Sequence, residues 1–191
     1  MTPQLLTCYG DHVITYPLWA ERKYDGVRCV IIVQRGAGDA YSREGNRLPA
    51  GQAAADEVAR LAGDGVYDGE LVGASLPVTL SAVKRGDGSG LRYKAFDHLT
   101  LDEWSAGGSG RSLAARKAAL AALMPRPSDR DRVVDVVPGK WCRDEDELTR
   151  VFDHAVSLQW EGVVAKMDAP YQCGKRAKSW MKLKPILREE W

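Results

Sequence analysis

The sequence predicts an α+β fold with antiparallel sheet, and three observations lead to this prediction. Apolar, β-branched runs mix with amphipathic segments of helical spacing, without the regular β-α-β order of a parallel sheet. The chain has 191 residues, of which 45% are hydrophobic and 28% charged, the usual balance of a soluble protein with a buried core. No internal repeat is evident. We therefore expect a single domain over residues 1–191.

The first half of the chain contains strands and one helix. Residues 18–34 predict a strand, a tight turn at Gly26 and a second strand whose centre is entirely β-branched. Residues 51–62 are rich in alanine, with apolar residues near helical spacing, and predict a helix. Residues 66–72 predict another strand, and the glycine-rich run 85–90 predicts a loop.

The second half adds two helices and further strands. The helix at 111–124 ends at Pro125 and Pro127, because proline cannot continue a helix. The helix at 144–158 has acidic residues in its first turn, where the helix dipole favours negative charge. A glycine-containing connector covers 106–110. Four segments predict strands from their composition, namely 91–101, 132–137, 162–166 and 179–183.

Charge and cysteine content exclude several function classes. Lys plus Arg number 27 against 26 for Asp plus Glu, so any nucleic-acid surface must come from local clustering. The four cysteines form no C-x-x-C pair, which argues against a zinc ribbon or a redox dithiol. No apolar run has the ~18 residues of a membrane span, and no secretory signal is evident. We expect a cytoplasmic monomer with no membrane partner.

Short polar islands inside the predicted strands carry the candidate chemistry. In Lys23-Tyr-Asp25-Gly26-Val-Arg28, strand alternation puts Lys23 and Asp25 on one face, and the glycine lets the backbone pass close to a ligand. A lysine among other cations in a semi-enclosed pocket has its neutral form favoured, which makes the amine a nucleophile. An exposed Lys–Asp pair on a hairpin is the structural alternative.

Two further islands follow in the middle of the chain. Asp68-Gly-Glu70 presents two carboxylates across one glycine, which suits a ribose hydroxyl or a metal-bound water. A simple turn is the alternative for this pair. Phe96, followed by Asp97, has a ring that can stack on a purine, and a core phenylalanine is the alternative.

The C-terminal third contains the remaining islands. Glu161 and Lys166 bracket an apolar strand. Alternation then puts Trp180, Lys182 and Lys184 on one side, where two lysines repel each other unless an anion such as phosphate lies between them. From Lys166 onward the chain to position 188 has seven basic residues and one acid, so positive charge clusters here.

Taken in order, these islands resemble the nucleotidyltransferase motifs of ATP-dependent DNA ligases. The resemblance spans roughly residues 19–185, and five motifs in order and spacing are a specific signal. Gly174-Lys-Arg before Trp180 is similar to the bacteriophage-type branch. The matching segments are Lys23-x-Asp-Gly-x-Arg28, Asp68-Gly-Glu70, Phe96-Asp97, Glu161-Gly-Val-Val-x-Lys166 and Lys182-x-Lys184, together with Glu21 and Ser42-Arg43.

The resemblance implies an ATP-grasp-like nucleotidyltransferase domain of two packed antiparallel sheets with flanking helices and the nucleotide between them. It implies ATP as the AMP donor, Mg²⁺ or Mn²⁺, and nicked double-stranded DNA as partner in replication, recombination and repair, in a bacterial or phage-infected cytosol. Ligases of this family normally continue into an OB-fold domain. The sequence ends at Trp191, so we expect that domain to be absent and a separate OB-fold domain or protein clamp to be a candidate partner.

The resemblance also implies residue roles. Lys23 would attack the α-phosphate of ATP, release pyrophosphate and form lysyl-N-AMP, and AMP would then pass to a 5′-phosphate at a nick. Glu21 would read the adenine amino group, Phe96 would stack on the ring, and Glu70 would hold the ribose. The implied metal ligands are Asp25, Glu70 and Glu161. The implied phosphate or ribose contacts are Arg28, Arg43, Lys166, Lys182 and Lys184.

Two alternatives remain open from the sequence. An RNA ligase, or an mRNA-capping guanylyltransferase, uses the same lysine chemistry, the latter with GTP. A non-catalytic nucleic-acid-binding fragment would keep the fold and the basic C-terminal segment without turnover. Nucleotide preference in an adduct assay separates these classes.

Overall fold

The computed structural model of the protein describes residues 1–11, 13–124 and 132–185. The chain forms two compact units. The first comprises Met1–Gln4, Asp25–Val137 and Pro170–Lys175. The second comprises Leu5–Tyr24, Pro138–Ala169 and the described residues from Arg176 onward. Each unit contains one five-stranded sheet. The single domain over residues 1–191 stays a prediction.

Strands and helices follow one another in irregular order, as an α+β chain requires. The strands are β1 (Leu5–Cys8), β2 (Leu18–Arg22), β3 (Val27–Gln34), β4 (Ala37–Ser42), β5 (Gly65–Val72), β6 (Arg92–Leu99), β7 (Gly108–Ser109), β8 (Val134–Val136), β9 (Gly139–Cys142), β10 (Val163–Met167), β11 (Tyr171–Gln172) and β12 (Arg176–Leu183). The helices are α1 (Gln52–Ala62), α2 (Leu76–Arg85), α3 (Leu101–Ser105), α4 (Leu113–Leu123) and α5 (Glu145–Ser157), and a short 3-10 turn at Pro49–Gly51 precedes α1.

The sheet of the first unit has the strand order β4-β3-β5-β6-β8. Its pairs are antiparallel except β6–β8, which is parallel. Cys29, Ile31 and Val33 on β3 are fully buried on one face, in a core that includes Ala55 and Val58 of α1. This follows from the two-residue period of the strand and the apolar stripe of the helix. The opposite face of β3 is mixed, with the buried Val30 beside Arg28.

The sheet of the second unit has the strand order β1-β12-β10-β2-β9. The β1–β12 pair is parallel and the others are antiparallel. Side-chain alternation divides the sheet into two faces. The core face packs on α5 through Leu18, Ala20, Val163, Ala165, Met181, Leu148 and Ala155. The other face, which we call the polar face, carries Trp19, Glu21, Lys166, Trp180 and Lys182.

The predicted helices and most predicted strands are present with their ends shifted by a few residues. The α+β class with two main sheets is confirmed. β12 begins at Arg176 instead of Ser179, so this strand is longer than predicted, and Ala177 is buried in the added part. Pro125 and Pro127, predicted to end α4, lie outside the described residues. Among the described residues, no helix combines the length and apolar character needed to cross a membrane.

Several expectations about connectivity are wrong. Residues 18–34 contain the expected two strands, but β2 and β3 do not pair as a hairpin, because they belong to different sheets. The sheets are not purely antiparallel, since each has one parallel pair at an edge. The connector at 106–110 contains β7, which pairs with β11. The sequence did not lead us to predict β1, β4, α2, α3, β9 or β11.

Candidate active site

Lys23 follows β2 directly in the second unit. Its main-chain N–H donates to the carbonyl of Gly162 at 2.9 Å, which fixes the backbone at this position. Its Nζ donates to Oε2 of Glu161 at 2.5 Å, and Lys184 Nζ contacts Oε1 of the same carboxylate at 2.6 Å. The structure therefore brings three of the predicted site residues together around one carboxylate.

Glu161 is the negative centre of this cluster. Burial disfavours its charged form, but hydrogen bonds from Lys184 and Lys23 outweigh that effect and hold the pKa of Glu161 below its ordinary value. The carboxylate is therefore ionised at neutral pH. It carries one negative charge against two ammonium groups, so these three side chains together keep a net positive charge. Such a cluster favours an anion.

Glu21 lies on the polar face of the same sheet, with only 3% of its side chain exposed. The indole Nε1–H of Trp19 donates to Glu21 Oε2 at 2.9 Å. Lys166 forms an ion pair with Glu21 Oε1, and its ammonium lies 4.0 Å from the ring centroid of Trp180. Lys166, expected near a phosphate, thus contacts the carboxylate expected to read the base.

The two C-terminal lysines differ in placement. Lys182 lies in β12 on the same face as Trp180 and is partly exposed. Lys184 lies beyond the end of the strand, with 48% of its side chain exposed, and bonds to Glu161. Strand alternation therefore accounts for the shared face of Trp180 and Lys182, whereas the ion pair with Glu161 determines the position of Lys184.

Arg22 is a neighbour of Lys23 that the sequence reading missed. Its guanidinium carbon lies 4.7 Å from the ring centroid of Tyr24 and 4.7 Å from that of Trp160. Such cation–π contacts restrain a side chain that is partly desolvated. Trp160, three residues beyond the end of α5, is distant in sequence, so no local pattern could have indicated this contact. The two rings restrain the Arg22 side chain next to Lys23.

Arg28 is tightly bound in the first unit. Its Nε and Nη2 donate to the two carboxylate oxygens of Asp68, each at 2.6 Å, and Nη2 also donates to the carbonyl of Gln4 at 3.1 Å. Tyr171 donates its hydroxyl to Asp68 at 2.6 Å. Burial lowers the pKa of Arg28, but the charge and hydrogen bonds of Asp68 raise it by a larger amount. The net shift of this pKa is therefore upward. Arg28 is a permanent cation in this fork.

Phe96 is partly buried on β6, and the Arg28 guanidinium lies 4.7 Å from its ring centroid. The next residue, Asp97, is fully buried and accepts from Arg116 Nε at 2.8 Å. Asp97 thus anchors the strand that carries Phe96. Arg116 comes from α4, which the sequence indicated only as a helix.

Asp25 and Glu70 belong to the loop and strand beside Gly26. Asp25 is exposed, and Glu70 on β5 is partly buried and pairs in register with Arg28. A Cβ at Gly26 would lie 2.2 Å from the carbonyl oxygen of Leu71 and 2.9 Å from Glu70 Cγ. Only glycine allows this close approach. The turn between the expected nucleophile and β3 therefore depends on it.

Arg43 lies in the exposed turn after β4. Its Nε donates to Glu44 at 3.0 Å, and the two side chains are 59% and 58% exposed. Such a surface pair contributes little to stability. This leaves Arg43 accessible to an external ligand.

Side chains alone do not form a complete metal site in the described part of the chain. There, no group of three or more His, Cys, Asp or Glu side chains is arranged to hold an ion. Asp25, Glu70 and Glu161 are hard oxygen donors, which suit Mg²⁺ or Mn²⁺. Because Mg²⁺ is usually held by one or two carboxylates together with substrate phosphates and water, each of these carboxylates, taken singly, is a suitable ligand for an ion that arrives with a nucleotide.

Comparison with known proteins decides the family. The model of the ATP-dependent DNA ligase domain matches residues 11–184. This chain belongs to that family. A relative, the multifunctional non-homologous end joining protein LigD of Mycolicibacterium smegmatis, is 31% identical over 181 residues, covering 86% of this chain and 21% of the relative. The ligase domain described here thus spans about a fifth of that curated relative.

Solved structures agree with the fold of this ligase domain. A structure described as Pmar-Lig_Pre. superposes with a TM-score of 0.85 at 22% identity, covering 96% of this chain and 46% of that one. A mycobacterial DNA ligase D complexed with ATP and MES has a TM-score of 0.70 at 26% identity, covering 96% and 60%. The nucleotidyltransferase fold expected from the sequence is confirmed.

Proposed function

We propose that this ligase domain transfers AMP from ATP to Lys23 and then to the 5′-phosphate of nicked DNA. In the first step Lys23 Nζ forms a bond to the α-phosphorus, and the bond from that phosphorus to the β-phosphate oxygen breaks. Pyrophosphate leaves with the bonding electron pair. The nitrogen gives up two protons in all, one before the attack to free the lone pair of the Lys23 ammonium and one as the phosphorus–nitrogen bond forms. The observation that carries the proposal is the Lys23–Glu161–Lys184 cluster in a chain of this family.

Charge neutralisation is the main task in phosphoryl transfer. Lys184 is more exposed than Glu161, so an incoming α-phosphate can take over the bond that Lys184 makes to Glu161. Lys182 lies on the same face and adds a second cation. Lys166 forms its ion pair with Glu21 before the nucleotide binds. The three lysines are proposed to stabilise the negative charge that develops on the α-phosphate.

The nucleoside is proposed to be held by three side chains. Glu21 accepts a hydrogen bond from the adenine 6-amino group, Phe96 stacks on the ring, and Glu70 holds the ribose. Arg28 supports this arrangement from the side, because its bond to Asp68 fixes the guanidinium against Phe96. The proposed contact of Arg28 with ribose or phosphate is secondary to its role in supporting the Phe96 ring.

Asp25, Glu70 and Glu161 are the proposed ligands for Mg²⁺ or Mn²⁺, in combination with the nucleotide phosphates. When bound, the ion supplies charge neutralisation on the phosphates. Release of Glu161 from its two lysines frees its oxygens for this purpose.

The later steps use DNA as the substrate. AMP passes from Lys23 to the 5′-phosphate at a nick, and the 3′-hydroxyl then displaces AMP to seal the strand. Arg43, accessible after β4, is a proposed phosphate contact on the nucleic acid. A separate OB-fold domain or protein clamp, a monomeric state and a cytoplasmic location stay predictions.

The first experiment measures adduct formation by intact mass. The full chain is incubated with Mg²⁺ and ATP or GTP, alongside Lys23→Ala and the matched control Lys84→Ala, which removes an exposed lysine of α2. We expect one added AMP on the wild type and on Lys84→Ala, none on Lys23→Ala, and none with GTP. A GMP adduct would instead indicate capping chemistry, and an adduct that survives in Lys23→Ala would refute the assignment of the nucleophile.

A second experiment tests the polynucleotide. Pre-adenylated nicked duplexes with DNA or RNA at the 3′-hydroxyl side separate strand sealing from the first step. We expect sealing of the DNA nick, which an added OB-fold domain should accelerate. Sealing of RNA in preference to DNA would contradict the proposed substrate.

A further inference from the structure

Trp19 lies outside the motif residues but directly beside one of them. It projects from β2 onto the polar face, two residues before Glu21, and donates its indole N–H to Glu21 Oε2 at 2.9 Å. A neutral donor to a buried carboxylate makes a charge-assisted hydrogen bond, which is stronger and more directional than one between neutral groups. Trp19 therefore sets the orientation of the Glu21 carboxylate.

Strand β9 holds the Trp19 indole in place. A Cβ at Gly139 would lie 2.5 Å from Cε2 and 2.6 Å from Nε1 of that ring, so the ring occupies space that only glycine leaves open. Trp141, opposite Trp19 in register, meets it edge-on with centroids 5.4 Å apart and planes 69° apart. Glycine on one side and an aromatic edge on the other leave the indole little rotational freedom.

The second oxygen of Glu21 is held independently. Lys166 pairs with Oε1, and cross-strand register puts Lys166 opposite both Trp19 and Trp180. The carboxylate is thus held at both oxygens by donors from two strands. An ionised carboxylate accepts hydrogen bonds and cannot donate them. Any further partner of this carboxylate must therefore be a donor.

We propose that Trp19 is a positioning residue that sets the base preference of this ligase domain through Glu21. The inference rests on the proposed function, in which Glu21 meets the base. Adenine presents a 6-amino donor at this edge, whereas guanine presents a 6-oxo acceptor. A carboxylate held in one orientation accepts a hydrogen bond from the adenine amino group and repels the guanine oxo group. A carboxylate that is free to rotate discriminates less between the two bases.

The test compares ATP with GTP in Trp19→Phe, which keeps an aromatic ring and removes the N–H. We expect kcat/KM for adduct formation with ATP to fall about tenfold, mainly through KM, as for loss of a hydrogen bond to a charged group. The value for GTP should stay within about twofold of wild type, so the ATP preference falls by the same factor. Trp104→Phe is the control, since it removes the indole N–H of a buried tryptophan in α3 of the first unit that has no role in holding Trp19 or Glu21, and it should keep the ATP preference.

A double variant separates positioning from general damage. If Trp19 acts through Glu21, Trp19→Phe should change the ATP preference less than about twofold in a Glu21→Gln background. Equal losses for ATP and GTP, or an undiminished effect of Trp19→Phe in that background, would overturn the proposal. Circular dichroism on each variant identifies any that does not fold.

Equilibrium binding keeps this test distinct from the proposed chemistry. ATP and GTP are titrated calorimetrically into the full chain carrying Lys23→Ala, with and without Trp19→Phe. A reduced ATP preference without any covalent adduct in the wild type would support the role of Trp19 and refute the proposed adenylation. Absence of any ATP binding would overturn both.

Discussion

Loss of the buried Arg116–Asp97 ion pair should strongly destabilise the first unit. Both side chains are fully buried, with Arg116 Nε and Nη2 at 2.8 and 3.2 Å from the two oxygens of Asp97. Arg116 Nη1 also donates to the carbonyl of Arg111 at 2.6 Å. Arg116→Met keeps an unbranched apolar stem but removes these donors, which leaves the Asp97 carboxylate in the interior without its counter-ion.

The expected magnitude follows from this geometry. Removing one partner of a buried pair costs about 3–5 kcal/mol, and each kcal/mol shifts the Tm of a chain of this size by about 2–4 °C. We therefore expect Tm to fall by roughly 10 °C. The matched control is Arg92→Met, because Arg92 pairs with Asp135 while 44% exposed; a pair at the surface contributes at most about 1 kcal/mol.

Thermal unfolding followed by circular dichroism measures both variants. Replacing both charges, with Arg116→Met and Asp97→Asn, should recover part of the lost stability, since no unpaired charge then remains. If Arg116→Met lowers Tm no more than Arg92→Met, the buried pair is not the anchor of the strand that carries Phe96.

Three further predictions concern the turn, the cluster and the pH response. Gly26→Ala should destabilise the protein by about 1–3 kcal/mol, measured by urea unfolding, because its methyl would lie 2.2 Å from a carbonyl oxygen; an unchanged midpoint would contradict this. Lys184→Met should slow adduct formation about tenfold, because it removes one of the cations proposed to neutralise the α-phosphate, and Tm should change little because Lys184 is 48% exposed; an unchanged single-turnover rate would contradict this. Burial opposes ionisation of Glu103, but hydrogen bonds from Arg111, Ser109 and Thr100 lower its pKa to about 2, so its contribution to stability is present above the ordinary value and is lost as pH falls from about 4.5 toward 2. Arg111→Gln should flatten that part of the Tm profile, and an unaltered profile would count against the assignment.

Strand periodicity made much of the second unit's polar face predictable. Trp180 and Lys182 share a face as expected from alternation, and Leu18 and Ala20 face the core while Glu21 does not. These are local properties, and a period of two is enough to derive them. The order of the motifs indicated the remaining residues of this face, because each polar island falls within a strand or at its end.

Pairs distant in sequence could not be predicted in this way. The sequence indicated an anion between Lys182 and Lys184, but not that the carboxylate of Glu161 takes one of them. The Arg116–Asp97 pair joins a helix to a strand, and local periodicity contains no information on that partner. Strand neighbours such as β10 between β2 and β12 depend on the same long-range pairing.

The missed elements have a different cause. β1, β4 and β9 lack a clear alternating pattern, and β9 is only four residues long, so composition gives a weak signal. α2 did have a recognisable start, with Ser75 as N-cap and a proline at the first turn. That pattern is typical of a helix N-terminus and would have located it.

The most direct test of the central claim is to locate the AMP within the adduct. The wild-type chain is incubated with ATP and Mg²⁺, digested above neutral pH to preserve the phosphorus–nitrogen bond, and mapped by tandem mass spectrometry. We predict a single AMP on Lys23, next to the sandwiched Arg22. An AMP on Lys166, Lys182 or Lys184, with Lys23 unmodified, would contradict the account.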